Sequence, residues 1–234
     1  MVSTMSQLFD CTAEADLLAG MRAARRAIAQ GELVVLPTDT VYGLAAEAFS
    51  PAAVERLLEA KGRTRSSPPP VLIGSMDALG ALAESVPDVV GALGKKFWPG
   101  GLTIILDAQP SLAWDLGDTL GTVAVRIPQH PLALELLAET GPLAVSSANL
   151  TGKAPANTAA EAKDQLGGRV SVYLEAGPVR GIASTIIDAT GLTRGTGGVR
   201  IVRSGVVTVA ALRKVLGDSL EPLTTASRGT TARS

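Results

Sequence analysis

The sequence predicts an α/β fold, with one mixed, twisted sheet flanked by helices. Three observations carry this. Short apolar runs of strand length alternate with amphipathic stretches of helix length along 234 residues. Their order is not a clean βαβ repeat, which predicts a mixed sheet rather than a purely parallel one. Hydrophobic residues at 46% against 18% charged supply enough apolar surface to cover both faces of such a sheet.

The first element is helical, over 13–30. There Leu17, Leu18, Met21, Ala24 and Ile28 recur at three-to-four spacing opposite Arg22, Arg25 and Arg26, and Gly31 ends the helix at C′. The run 33–36 reads as a buried strand closed by Pro37. Ser50 as cap and Pro51 in the first turn then open a helix to about residue 60. Apolar runs place further strands at 71–73, 102–106, 122–127, 143–146, 171–174, 184–188 and 199–202. Helical spacing covers 76–84, 87–97, 131–139, 158–166 and 208–216. Residues 191–198 read as a mobile loop. After residue 216 the chain is rich in Ser, Thr, Gly and Arg without periodicity, so 217–234 is expected to be a disordered tail behind a domain over 1–216.

Composition excludes several kinds of chemistry. Lys+Arg 21 against Asp+Glu 22 leaves a net charge of −1, which argues against a constitutive polyanion binder. One cysteine, Cys11, rules out an internal disulfide and fits a reducing, cytoplasmic setting. One histidine, His130, rules out two-histidine metal sites, and in Pro128-Gln129-His130-Pro131 it reads as ordering a strand-to-helix turn. No secretory signal and no membrane-length apolar run is present. GxxxxGK[ST], GxGxxG after a strand, and GxSxG are all missing.

Polar clusters at strand ends remain. The segment 37–44 (PTDTVYGL) follows a buried strand, where ligands of open α/β sheets bind, though its hydroxyls could equally serve their own turn. Lys61, Arg63 and Arg65 alternate at a helix end before Ser66, Ser67 and three prolines; the cluster favours an anion site over simple helix-end charge. In 121–128 (GTVAVRIP), Thr122, Ala124 and Arg126 share one strand face, so Arg126 needs a carboxylate neighbour, a ligand or an exposed face. Ser146, Ser147 and Asn149 close an apolar strand, Ser184 and Thr185 open one, and Arg203-Ser204-Gly205 ends another.

In this order the segments resemble the YrdC-like family of L-threonylcarbamoyladenylate synthases. The matching motifs are PTDTVYGL (37–44), KGR (61–63), FWPGGLT (97–103), GTVAVRIPQHP (121–131), SSAN-x-TG (146–152), STIID (184–188) and RSG (203–205), spread over about 15–216. The resemblance implies a large, positively charged concave site, and a reaction joining L-threonine, bicarbonate and ATP into threonylcarbamoyl-AMP and pyrophosphate. Position by position it casts Thr40, Arg126, Ser146 and Ser184 as holding L-threonine. On the ATP side it places Lys61, Arg63, Ser67, Thr122, Ser147, Asn149, Asn157 and Arg203, with Lys61 and Arg63 also catalytic. It implies Mg²⁺ with ATP but no protein metal site, downstream tRNA threonylcarbamoyl-transfer proteins as partners, room for a tRNA contact, and no membrane. The chain departs from the family pattern at Leu72, where a histidine is usual, and at Ser204, where a proline is usual. A C-terminal domain found in longer members has no counterpart in the tail.

Two other readings compete. A nucleic-acid-binding module could use the same basic concavity, but the near-neutral charge and seven aromatics (3 Phe, 2 Trp, 2 Tyr) disfavour base stacking. A carbamoyl-adenylate domain of the hydrogenase-maturation type shares the expected fold, yet belongs to longer chains with zinc-finger-like cysteines.

Overall fold

The computed structural model describes residues 6–179 and 181–222. Among the described residues ten strands form one sheet: β1 (Gln7–Asp10), β2 (Val34–Leu36), β3 (Gly43–Glu47), β4 (Val71–Leu72), β5 (Leu102–Asp107), β6 (Thr122–Arg126), β7 (Leu143–Ser147), β8 (Val172–Glu175), β9 (Thr185–Asp188) and β10 (Arg200–Arg203). Their order is β1-β8-β2-β3-β7-β4-β6-β5-β9-β10. Parallel pairs (β1/β8, β2/β8, β4/β6, β5/β9) mingle with antiparallel ones (β2/β3, β3/β7, β4/β7, β5/β6, β9/β10), as the irregular element order predicts.

Eight α-helices among the described residues cover the sheet: α1 (Glu14–Ala29), α2 (Pro51–Lys61), α3 (Leu79–Leu82), α4 (Asp88–Phe97), α5 (Pro131–Thr140), α6 (Ala159–Leu166), α7 (Thr190–Arg194) and α8 (Val209–Leu216). Side-chain alternation explains the layering. Val34 and Leu36 pack with Met21 and Ile28 of α1 and Leu136 of α5. Their neighbours Leu33 and Val35 point the other way, against Leu57 of α2 and Leu166 of α6. Strand β2 is therefore buried on both faces, which is why its sequence is an unbroken apolar run. A third cluster joins Val71, Ile104, Val125 and Ile187 of the sheet to Leu93 of α4 and Leu212 of α8. None of the described helices is long and apolar enough to cross a membrane.

Helix boundaries follow their chemistry. Ser50 Oγ accepts from the Ala53 amide (3.3 Å), and Pro51 sits in the first turn of α2. Gly62 ends α2 in the left-handed region (φ 65°), a conformation that costs glycine little. That sharp reversal turns the chain from Lys61 toward Arg63.

Several expectations need correction. Strands β1 and β3 were not foreseen. The helix expected over 76–84 is a 3₁₀ turn (Met76–Ala78) followed by the one-turn α3. Within 191–198, where a loop was expected, α7 forms, and Thr190 Oγ1 bonds Asp188 ahead of it (2.7 Å). The tail does not begin at 217: Gly217–Ser219 forms a 3₁₀ turn, and Leu220, 1% exposed, bridges to Val199. The rest of that expected tail, 223–234, lies outside the described residues.

Candidate active site

The face of the sheet on which α1 and α5 pack lies open farther along, and that opening is a pocket of about 250 Å³. Sheet register sets its floor. Gly43 faces Ser147 across β3 and β7, Leu72 stands beside Arg126 across β4 and β6, and Ile186 lies between Thr103 and Arg203 across β5, β9 and β10. The floor thus has an apolar side (Val145, Leu72) and a hydroxyl side (Thr103, Ser184), with Arg126 between them.

Arg126 resolves the alternatives left open by sequence: it has both a carboxylate neighbour and a place in the pocket wall. Its Nε donates to the Gly100 carbonyl (2.9 Å), Nη1 to Thr40 Oγ1 (2.9 Å) and Nη2 to Asp39 Oδ1 (2.5 Å). Burial pulls this guanidinium below its ordinary range, and Asp39 opposes that pull. Thr40 is in turn fixed by Thr38, whose hydroxyl lies 3.0 Å away and donates to the Val41 carbonyl (2.6 Å).

Two further guanidinium groups line the pocket. Arg63 Nη1 donates to Ser146 Oγ (3.2 Å). Arg203 donates through Nε (3.1 Å) and Nη2 (2.8 Å) to the Ser184 carbonyl, and through Nη2 to Ser184 Oγ (3.0 Å). Ser184 Oγ also lies 2.9 Å from Thr103 Oγ1. Burial lowers the affinity of Arg203 for its proton, and the nearby Arg126 and Arg63 cations add to the effect. Three mutually repelling cations stand around one hollow, held by hydroxyls, carbonyls and, for Arg126, the Asp39 carboxylate, an arrangement suited to an anion.

The structure therefore gathers Thr40, Arg63, Arg126, Ser146, Ser147, Ser184 and Arg203 in one wall. It does not bring the other candidates into that wall. Lys61 is 1% exposed and its ammonium donates to the carbonyls of Ser147 and Asn149 (2.7 Å to the latter), so it clamps the loop after β7. Burial and then Arg63 pull this ammonium down to about 7. Ser67 is exposed, just before the lining residues Pro68 and Pro70. Thr122 begins β6 at the end opposite Arg126, where its hydroxyl donates to the Thr119 carbonyl (2.7 Å).

Asn149 uses its amide on the carbonyls of Leu150 (2.9 Å) and Lys153 (2.8 Å), which leaves its buried Oδ1 without a partner among the described residues. Asn157 Oδ1 is likewise buried and unpaired there, close to Gly181. Arg65, read with the cation cluster, turns away to Asp115 (2.8 Å) and Asp118 (3.6 Å). His130 sits at the N-cap of α5, as its turn predicted, and makes no cap hydrogen bond.

The sequence marks none of Asp39, Thr103, Leu72 and Val145 as an individual site residue, Asp39 standing out only as part of the polar rim 37–44. Thr103 lay within a quoted motif, and Leu72 was marked as a departure. The signal for Asp39 was an arginine on an apolar strand in need of a carboxylate, but nothing local said which.

A mixed α/β sheet whose uncovered face collects guanidinium and hydroxyl groups defines an α/β protein with a basic, hydroxyl-lined pocket. The chain belongs to the Sua5/YciO/YrdC family, whose model, described as "Telomere recombination", matches residues 26–205. A relative from Mycobacterium tuberculosis named putative threonylcarbamoyl-AMP synthase is 48% identical over 214 residues, covering 91% of this chain and 96% of its own. The crystal structure of P. abyssi Sua5 complexed with L-threonine superposes with a TM-score of 0.80 at 35% identity, covering 86% of this chain and 59% of that one. E. coli YciO gives 0.76 at 26% identity, covering 89% and 100%. The chain thus spans nearly all of the mycobacterial relative but about three fifths of P. abyssi Sua5.

Proposed function

We infer that this chain is a threonylcarbamoyl-AMP synthase, making threonylcarbamoyl-AMP and pyrophosphate from L-threonine, bicarbonate and ATP. One observation carries the reading: three guanidinium groups and a ring of hydroxyls converge on a single hollow in a member of a family whose relatives bear that name. Thr40 and Arg126 hold the threonine carboxylate, with Ser146 and Ser184 beside it. Arg63, Ser147 and Arg203 face the nucleotide. Lys61 supports them from behind by fixing the Ser147 and Asn149 carbonyls.

The chemistry suits such a wall. The threonine amine and bicarbonate condense to a carbamate and water. A carbamate oxygen attacks the α-phosphorus of ATP, the bond from that phosphorus to the bridging oxygen breaks, and pyrophosphate leaves with the electron pair. Positioning and charge neutralisation dominate a transfer of this kind. Arg63 and Arg203 offset charge on the leaving group, and no covalent nucleophile takes part. Magnesium enters as part of the substrate, bound to the ATP phosphates. Among the described residues no set of three carboxylates, histidines or cysteines offers it a cage of its own. The product passes to tRNA threonylcarbamoyl-transfer proteins.

Pyrophosphate release tests the reading directly. It is expected only when ATP, L-threonine and bicarbonate are all present. Release that ignores threonine, or salt-sensitive RNA binding with no ATP turnover, overturns it.

A further inference from the structure

Behind the pocket lies a second groove, of about 640 Å³, lined by residues that include Asp39, Lys96, Gln129 and His130. Asp39 belongs to this rear groove and not to the pocket wall, whereas Arg126 and Thr40 belong to the pocket. Arg126 therefore stands between the two spaces, with Asp39 at its back. The carboxylate oxygen Oδ1 of Asp39 accepts from Arg126 Nη2 (2.5 Å) and from the Gln129 amide (2.7 Å). The second bond ties the loop after β2 to the chain leaving β6, so the carboxylate is fixed on the element that carries the arginine.

We propose that Asp39 is a positioning residue for substrate recognition, orienting the Arg126 guanidinium toward the amino-acid carboxylate without touching the substrate itself. The proposal rests on the synthase reading given above. Arg126 has five N–H groups, and three are spent on Gly100, Thr40 and Asp39. Two remain without a partner among the described residues, which suits a two-oxygen anion. A guanidinium has several rotamers on its long stem; three anchors on two loops, Asp39 and Thr40 between β2 and β3 and Gly100 before β5, leave it one orientation. Asp39 supplies the only ionic anchor of the three and offsets the cost of holding the cation at 7% side-chain exposure.

A structural role alone and a positioning role predict different kinetics. If Asp39 only neutralises a buried charge, its loss lowers thermal stability and weakens every substrate together. If it aims Arg126, its loss falls on threonine. The experiment measures KM for threonine and for ATP, with melting temperature, in wild type, Asp39→Asn, Arg126→Lys and the double variant.

In Asp39→Asn the threonine KM is expected to rise roughly 10- to 100-fold, the scale of a misplaced contact, while the ATP KM stays within about twofold. The double variant is expected to lose little beyond Arg126→Lys, because the two residues act through one group. Asp39→Glu keeps the charge but moves it by one methylene; it provides a folded protein if Asp39→Asn unfolds, and it too is expected to raise the threonine KM selectively. Unchanged threonine KM in these variants, equal losses for both substrates, or additive losses in the double variant overturn the proposal. A wild type that releases no pyrophosphate in response to threonine instead sinks the synthase reading.

Discussion

The residues of the pocket divide into those that meet a ligand and those that hold the first group in place. Arg63 lines the pocket, and the proposed function puts it in the first group. Its Arg63→Ala variant is expected to lose about 2.7–4 kcal/mol of transition-state stabilisation, a typical loss for one preorganised donor, seen as a fall in the rate of pyrophosphate release. Near-wild-type release rejects the role. Ser184→Ala is expected to weaken threonine more than ATP, because the Ser184 carbonyl still anchors Arg203 after the hydroxyl is gone; calorimetry with each ligand separates the two losses. Lys61 belongs to the second kind, and its buried ammonium has a thermodynamic signature. Its pKa falls from 10.5 to about 7 in the folded chain. Between those values the unfolded chain binds a proton that the folded chain does not, so folding stability from this group rises with pH from about 7 to 10.5. Below 7 the full penalty is present. Urea unfolding from pH 6.5 upward is expected to show this slope in wild type and not in Lys61→Met; parallel curves mean that Lys61 is not desolvated in this way.

At the scale of elements, the pocket floor is a consequence of strand order. Strands β7 and β4 put Val145 and Leu72 on one side of Arg126, while β5 and the chain entering β9 put Thr103 and Ser184 on the other. A threonine whose carboxylate meets Arg126 can place its methyl on the first side and its hydroxyl on the second. L-serine, which lacks the methyl, is expected to be the poorer substrate, by the roughly 10- to 200-fold that one carbon is worth in an apolar site. Leu72→Ala is expected to shrink that preference. The ratio of kcat/KM values is the quantity to measure, because Leu72 also packs in the core and its truncation costs stability as well; a ratio unchanged by the substitution removes Leu72 from substrate selection. Most of these strands were legible because they are apolar runs. β3 was not, since Gly43-Leu44-Ala45-Ala46-Glu47 is poor in β-branched residues and owes its extended form to pairing with β2 and β7. β1 was missed because an edge strand of four residues leaves little pattern. α7 was hidden by glycines that promised a loop.

For the whole molecule, the pocket joins parts of the chain that local reading treats separately. Arg126 is visible in sequence as a cation on an apolar strand, but its partner Asp39 is 87 residues away. Lys61 is legible in sequence as charge at a helix end, which is local information, whereas the carbonyls it binds come from 86 and 88 residues later. Strand order made those encounters, and strand order is what single-sequence patterns carry least. The same topology makes a prediction about ligands. Thr40, Ser146 and Ser147 reach the pocket from β3, β7 and their adjoining loops, and Ser184 and Arg203 reach it from β9 and β10, across β4, β6 and β5. Ligands filling the hollow would bridge these two sets, so binding should be felt on both sides of the sheet. Hydrogen exchange with ATP and threonine together is expected to slow amides near Thr40 and Ser147 and, in the same experiment, near Ser184 and Arg203. ATP alone is expected to protect the Arg63 and Arg203 regions while leaving the Thr40 loop near its free rate. Protection confined to one set under saturating amounts of both ligands means that they do not share this pocket.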